Sequence, residues 1–139
     1  MEVELEFGVG APPHDVAALL MDFEGLPRWH PGIEGWALEG SGAGAVRTYR
    51  LGGNPHRERL DERDDRAIRY TILEGPLPLS EFHASYEVRD AEGGSRITWR
   101  AAFVVMPQLE PAMGQAAKLL QISTLELLKA HLECGVALV

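Results

Sequence analysis

The feature that most limits the fold is a contrast in period. Six short stretches after residue 33 repeat every two residues, and then one unbroken stretch, Leu109 to Cys134, repeats with the period of a helix. Pro111 falls in the first turn of that stretch and Gly135 follows it as a C-terminal stop. On a wheel of about 100° per residue, Leu109, Met113, Ala116, Leu120, Thr124, Leu127 and His131 form one stripe. Gln115, Lys118, Glu126, Lys129 and Glu133 fall on the opposite arc. A sheet with one apolar face has to cover that face, and this long amphipathic helix is the cover the chain supplies.

The N-terminal segment carries the same alternation. Val3, Leu5, Phe7 and Val9 share one face and Glu2, Glu4 and Glu6 the other, a half-buried strand with a wet acidic side. Pro12 and Pro13 open a helix whose buried face is Val16, Leu19, Leu20 and Phe23. Gly25, Pro27 and Pro31 then break the chain into a short turn or helical stub holding Trp29 and His30. Strands are expected over Ile33–Leu38, Val46–Leu51, Arg57–Arg63, Ala67–Leu73, Ser80–Arg89 and Arg96–Val105. The expectation is one α+β domain over residues 1–139. It has a curved antiparallel sheet of about seven strands wrapped around the C-terminal helix, and two short helices after strand 1.

Turn chemistry fixes which residues meet. A two-residue loop at Gly52-Gly53 sets Arg47 opposite Glu58. A four-residue loop at Ala91–Gly94 pairs Val88 with Ile97, Tyr86 with Trp99 and Phe82 with Phe103. Leu60 and Tyr70 share a face if the Asp64 turn has an odd number of residues, taken as Asp64-Asp65-Arg66.

Composition excludes more than it assigns. With 45% hydrophobic and 24% charged residues the chain is ordinary globular protein, neither disordered nor membrane-spanning. A net charge of −8 argues against nucleic acid or an anionic membrane as partner. The lone Cys134 can form no internal disulfide, and no signal-peptide pattern opens the sequence, so a cytoplasmic location is expected. The histidines at 14, 30, 56, 83 and 131 show no paired spacing, so neither a metal nor a metal cluster is expected. Gly40-x-Gly42-x-Gly44 precedes a strand rather than a helix and reads as a turn, not a phosphate loop. No Gly-x-Ser-x-Gly elbow is present.

Several residue sets resemble one superfamily. They are the proline that opens the first helix, Asp22-Phe23 with Leu26-Pro27-x-Trp29-His30-Pro31, and Val46-Arg47-Thr48. Glu58-Arg59-Leu60, Tyr70 with Glu74-Gly75-Pro76-Leu77-Pro78, and Thr98-Trp99 with Phe103 complete the set. Across nearly the whole chain the sequence is similar to the START-like (birch-allergen-like, or SRPBCC) superfamily of helix-grip folds, and within it to bacterial polyketide cyclase/dehydrase-type proteins. The resemblance implies an internal cavity between sheet and C-terminal helix, open at one end, suited to a small hydrophobic or aromatic molecule. From the sequence itself no cofactor and no membrane insertion are expected, since no metal or cluster spacing is legible and no stretch approaches the roughly 20 apolar residues of a membrane helix. The resemblance does not fix the chemistry, because this fold hosts carriers, receptors and enzymes.

The candidate cavity residues are Trp29, Arg47, Tyr49, Glu58, Tyr70 and Phe82, with Tyr86, Trp99, Phe103, Met113, Ala116 and Leu120. Arg47 and Glu58 occupy inward strand positions, where a charge is costly unless paired. They read either as a structural ion pair or as an anchor, with Arg47 holding a ligand oxygen and Glu58 orienting it or acting as a base. Three inward tyrosines, Tyr49, Tyr70 and Tyr86, carry more hydroxyl than a dry core needs, although aromatics at strand spacing are also plain core. Trp29, His30 and Trp36 fall near the expected mouth, and His30 reads as a turn residue or a proton-transfer group. Three readings follow: a carrier or binder of a small hydrophobic metabolite or lipid, a cofactor-free cyclase or dehydratase using Glu58, Tyr70 or His30, and a protein-interaction module.

Overall fold

The computed structural model describes residues 1–133. Strand β1 (Glu2–Val9) leads into helix α1 (Pro13–Leu20) and a 3-10 segment, Phe23–Arg28. Then come β2 (Glu34–Glu39), β3 (Val46–Leu51), β4 (Asn54–Arg63), β5 (Ala67–Glu74), β6 (Ser80–Ala91) and β7 (Gly94–Val104). A 3-10 turn, Pro107–Leu109, delivers the chain to helix α2 (Glu110–Glu133). Cys134 as the helix end and Gly135 as its stop lie outside the described residues.

The seven strands form one antiparallel sheet in the order β1-β7-β6-β5-β4-β3-β2. Five ladders join strands consecutive in sequence, and β1 alone is brought across to its partner at the far end of the chain. Its alternation explains the docking: Leu5 faces Trp99 and Phe7 faces Ile97 on the concave side. On the convex side, Glu4 meets Arg100 at 3.3 Å, and Glu6 meets Arg89 at 3.0 Å and Arg96 at 3.2 Å. Such exposed pairs contribute about 0–1 kcal/mol each, so the apolar side of β1 carries the energy.

The turns obey the parity argument but not always by the expected device. The Gly52-Gly53 loop has two residues, both glycines at positive φ, and Arg47 stands opposite Glu58. The β6–β7 loop is Glu92-Gly93, two residues rather than four, because the ladder runs on to Ala91 opposite Gly94. Trimming both strands equally leaves the pairing unchanged, so Tyr86 still faces Trp99 and Val88 faces Ile97. The Phe82 rung is interrupted by a bulge between Ser80 and His83, where Glu81 takes φ 48°, yet the Phe82 and Phe103 rings lie 5.6 Å apart.

At Asp64 the ladder closes tighter than the expected three-residue turn, with Arg63 opposite Ile68 and the Asp64 amide bonded to Ala67 O. A bulge at Asp61 then restores Leu60 opposite Tyr70. Asp64 Oδ1 accepts the amides of Arg66 and Ala67, both at 2.9 Å, which holds the turn.

Helix α2 corrects the wheel. Its buried positions are Gly114, Ala117, Leu125 and Leu128, each one residue along from the expected stripe. Leu109 is 39% and Leu120 is 47% exposed, and His131 is half-buried. The cause is close approach. A Cβ on Gly114 would stand 3.2 Å from Val3 Cγ1, so the helix meets β1 through its smallest side chains. A wheel weighted toward large apolar residues misses a contact of this kind.

The hairpin between β6 and β7 contains a glycine needed for space rather than for conformation. A Cβ on Gly94 would sit 2.2 Å from Val9 O and 3.0 Å from Gly10 Cα, backbone that cannot yield without parting β1 from β7. Gly93, at φ 78°, faces open space. Gly94→Ala is therefore expected to lower the unfolding free energy in urea by about 2–3 kcal/mol. Gly93→Ala should cost about 1 kcal/mol, the price of a left-handed residue alone.

Candidate functional site

The concave face does not close completely on α2. Between them lies a cavity of about 360 Å³, bounded at one side by α1 and the 3-10 segment. Its apolar wall includes Leu19, Leu20 and Leu26 below, Ile72 and Phe82 from the sheet, and Leu127 from α2. The opposite wall is polar and is built mainly by the β3–β4 hairpin.

There Arg47 Nε donates to Glu58 Oε1 at 2.7 Å, and both side chains are about nine-tenths buried, at 11% and 10% exposure. Arg47 Nη1 donates to Phe23 O at 2.9 Å, and its Cζ lies 4.1 Å from the centre of the Phe23 ring. One guanidinium thus ties the 3-10 segment to the sheet through an ion pair, a backbone bond and a cation–π contact. Burial works against the Arg47 charge, but Glu58 beside it prevails and holds the pKa above its ordinary value.

Tyr49 Oη donates to the same Glu58 oxygen at 3.2 Å. Burial, with Glu58 adding to it, pushes the Tyr49 phenol well above its ordinary pKa. Deeper in, Trp99 Nε1 donates to Tyr70 Oη at 3.0 Å, and the Tyr70 and Tyr86 rings stack 5.7 Å apart. Gln121 of α2 donates to Tyr86 Oη. Burial raises the Tyr70 pKa strongly and that of Tyr86 to about 12. All three phenols therefore keep their protons at neutral pH.

Two imidazoles complete the wall. His30 is buried and its Nδ1 accepts the Gly32 amide at 3.3 Å, so the neutral ring carries its proton on Nε2. His56 stacks on Tyr49 with centroids 4.9 Å apart and planes 9° from parallel. Burial is the main cause that depresses both histidine pKa values.

Of the residues expected from sequence, Trp29, Arg47, Tyr49, Glu58 and Tyr70 line the cavity, as do Phe82, Tyr86, Trp99 and Leu120. His30, read either as a turn residue or as a proton-transfer group, also faces it. Phe103, Met113 and Ala116 do not. Phe103 is buried in the core against Phe82, and the rotation of α2 leaves Met113 and Ala116 only half-buried and outside the lining, with Met113 packed against the core. Trp36 stands outside as well, half-buried against Tyr49 at 6.0 Å.

Sequence reasoning missed His56 and Gln121. The signal for His56 was present, because the register that pairs Arg47 with Glu58 also pairs Tyr49 with His56. Gln121 follows only once the helix rotation is known. Trp29 Nε1 is the one buried side-chain polar atom without a partner among the described residues. Among those residues, no group of three His, Cys, Asp or Glu is placed to hold a metal ion. Nor is any helix there long and apolar enough to cross a membrane.

A family model described as "Polyketide cyclase / dehydrase and lipid transport" matches residues 1–133. The chain belongs to that family. No curated protein matches its sequence. Among solved structures, an uncharacterised protein from Bacillus thuringiensis superposes with a TM-score of 0.83 at 20% identity, over 95% of this chain and 98% of that one. A protein from Thermobifida fusca gives 0.73 at 29% identity, over 95% of each chain. The birch-allergen-like Ara h 8.0201 gives 0.74 at 20% identity, over 95% and 97%. The helix-grip frame is shared with that polyketide cyclase/dehydrase and lipid transport family, and a shared frame does not fix the chemistry of the side chains just described.

Two measurements probe this wall. Arg47→Met strands a buried carboxylate and should lower the unfolding free energy by about 3–5 kcal/mol. The double variant Arg47→Met/Glu58→Leu should recover most of that loss in urea titrations, since no buried charge remains. For the histidines, a folded pKa below the unfolded value means fewer protons bound when folded. Their contribution is then complete above the unfolded pKa of about 6.5 and is lost as pH falls toward the folded value. Stability should therefore decline as pH falls below that unfolded value, and His30→Gln/His56→Gln should flatten the decline.

Proposed function

We propose that this protein binds a small hydrophobic or aromatic metabolite inside the cavity, in the cytoplasm, with the Arg47–Glu58 wall as polar anchor. The observation that carries this reading is the cavity's two-sided character: an apolar wall of aliphatic and aromatic side chains faced by one hydrogen-bonding patch. Its volume supports a small ligand. A dry cavity of about 150 Å³ accommodates benzene, so about 360 Å³ fits roughly two fused rings with a substituent. The family description, which joins lipid transport to polyketide cyclisation, supports a ligand of that class.

A second reading, a cofactor-free cyclase or dehydratase, draws on a specific feature. Both bonds to Glu58 fall on Oε1, which leaves Oε2 without a partner among the described residues. A carboxylate with a free oxygen beside neutral imidazoles is a serviceable base. Tyr70 is a poor one, since its hydroxyl is engaged by Trp99 and its pKa is far from neutral.

Native mass spectrometry of freshly purified protein, followed by denaturing extraction, tests the binding reading. The expected result is a reproducible added mass that is released on unfolding. Thr124→Trp, which fills the cavity from α2, should lose that mass while remaining folded. A bare mass that persists after exposure to a metabolite extract would overturn the reading. Turnover lost in Glu58→Gln with ligand affinity kept would favour the enzyme.

A further inference from the structure

Two imidazoles in the cavity wall bear on when the site can be occupied, an inference that rests on the cavity-binding reading above. His30 is buried just past the 3-10 segment, and His56 is half-buried on β4; both line the space. His30 also closes a turn at the cavity's edge, because its Nδ1 accepts the Gly32 amide at 3.3 Å. That turn is packed against the lining, since a Cβ on Gly32 would stand 2.9 Å from Leu51 Cδ1. A proton on Nδ1 removes the acceptor. His56 lies flat on the Tyr49 ring at 4.9 Å.

The charges around the rings leave little to compensate an imidazolium. β3 brings Arg47 and β4 brings Glu58, and these are paired with each other at 2.7 Å. Asp22, before the 3-10 segment, is paired with Arg28 at 2.6 Å. From β5 come Glu74, exposed at the strand end, and the protonated phenol of Tyr70; β6 adds the phenol of Tyr86. The lining residues of α1 are leucines, and α2 contributes Gln121, Ser123 and Thr124 but no charge. Glu58 attracts a proton to both rings and Glu74 to His56, but burial prevails at each. A charge on His56 would also oppose one on His30, as Arg47 opposes one on His56. A hydrophobic guest strengthens this bias. It displaces solvent from the wall it touches, and a charged imidazole loses more by that than a neutral one.

We propose that the cavity takes an uncharged guest with His30 and His56 both uncharged, so that acidification releases the guest. Linkage sets the sign. A guest that favours the neutral rings lowers their pKa further, so binding expels protons. Affinity is complete above the histidine pKa values of the empty protein. It falls as pH drops through them, by at most about tenfold per pH unit for each ring.

Calorimetric titration of the intact protein with 1-naphthol tests this, because its phenol stays protonated between about pH 5 and about pH 7.5. Repeating the titration near pH ~6 in two buffers of different ionisation heat counts the protons directly. Net proton release is expected. Kd should also rise about fivefold or more from about pH 7.5 to about pH 5, with near-ultraviolet circular dichroism reporting a folded protein throughout. In His30→Gln/His56→Gln both effects should vanish. Binding without proton release, or with proton uptake, would overturn the proposal while leaving the cavity reading intact. So would an unchanged pH dependence in a folded double variant. If that variant fails to fold, the wild-type proton count alone still decides. No binding of naphthol at about pH 7.5 would instead overturn the cavity reading itself, and this proposal with it.

Discussion

An arginine and a glutamate that face each other on the concave side of a sheet impose a condition on everything around them. Each charge alone would cost several kcal/mol to bury. Together, at 2.7 Å, with Phe23 O and Tyr49 Oη adding a hydrogen bond to each, they are tolerable, but their residual polarity still resists a dry apolar lid. The helix that covers the sheet therefore seals tightly over β1 at Gly114 and stands off from the β3–β4 hairpin. The cavity is the space between those two distances. Phe23 matters for the same reason, because its carbonyl and ring fix the segment after α1 onto Arg47 and so set one boundary of that space.

The register of one hairpin creates the pair, and that much was legible in the chain. Two adjacent glycines allow a two-residue loop with both φ angles positive, and counting outward from Gly52-Gly53 puts Arg47 against Glu58 and Tyr49 against His56. Parity arguments of this kind survive errors in loop length when both strands change equally, as at Glu92-Gly93. They survive at Asp64 for a different reason. The requirement that Leu60 and Tyr70 share the buried face is stronger than the turn's own geometry, and the bulge at Asp61 absorbs the odd residue. Burial of a whole strand face outweighs one irregular rung.

The orientation of α2 was not legible, and neither were the cavity residues that depend on it. Periodicity gives the width of an apolar stripe but not its centre when large side chains, Leu119 and Leu120, stay exposed and small ones make the contact. Gly114 carries no hydrophobic signal, and its role exists because Met1 and Val3 lie opposite. Met113 and Ala116 were misplaced for this reason, and Gln121 was overlooked. Phe103 was misplaced for another: inward-facing residues on β7 line the cavity only where α2 stands off, and at Phe103 the packing is already solid.

The same standoff bears on what the site can do. An ion pair built only for stability would be best served by complete enclosure with every lone pair satisfied. Here both bonds to Glu58 fall on one oxygen, and the residue lines a cavity whose other wall is aliphatic and aromatic. Tyr70 and Tyr86 show the contrasting treatment, each hydroxyl met by a protein donor from Trp99 or Gln121. Within a single cavity, then, the fold meets its deep phenols internally and leaves Glu58 Oε2 without a partner among the described residues. That polar cluster falls on the β3–β4 hairpin, the part of the sheet whose register its own turn dictates most directly.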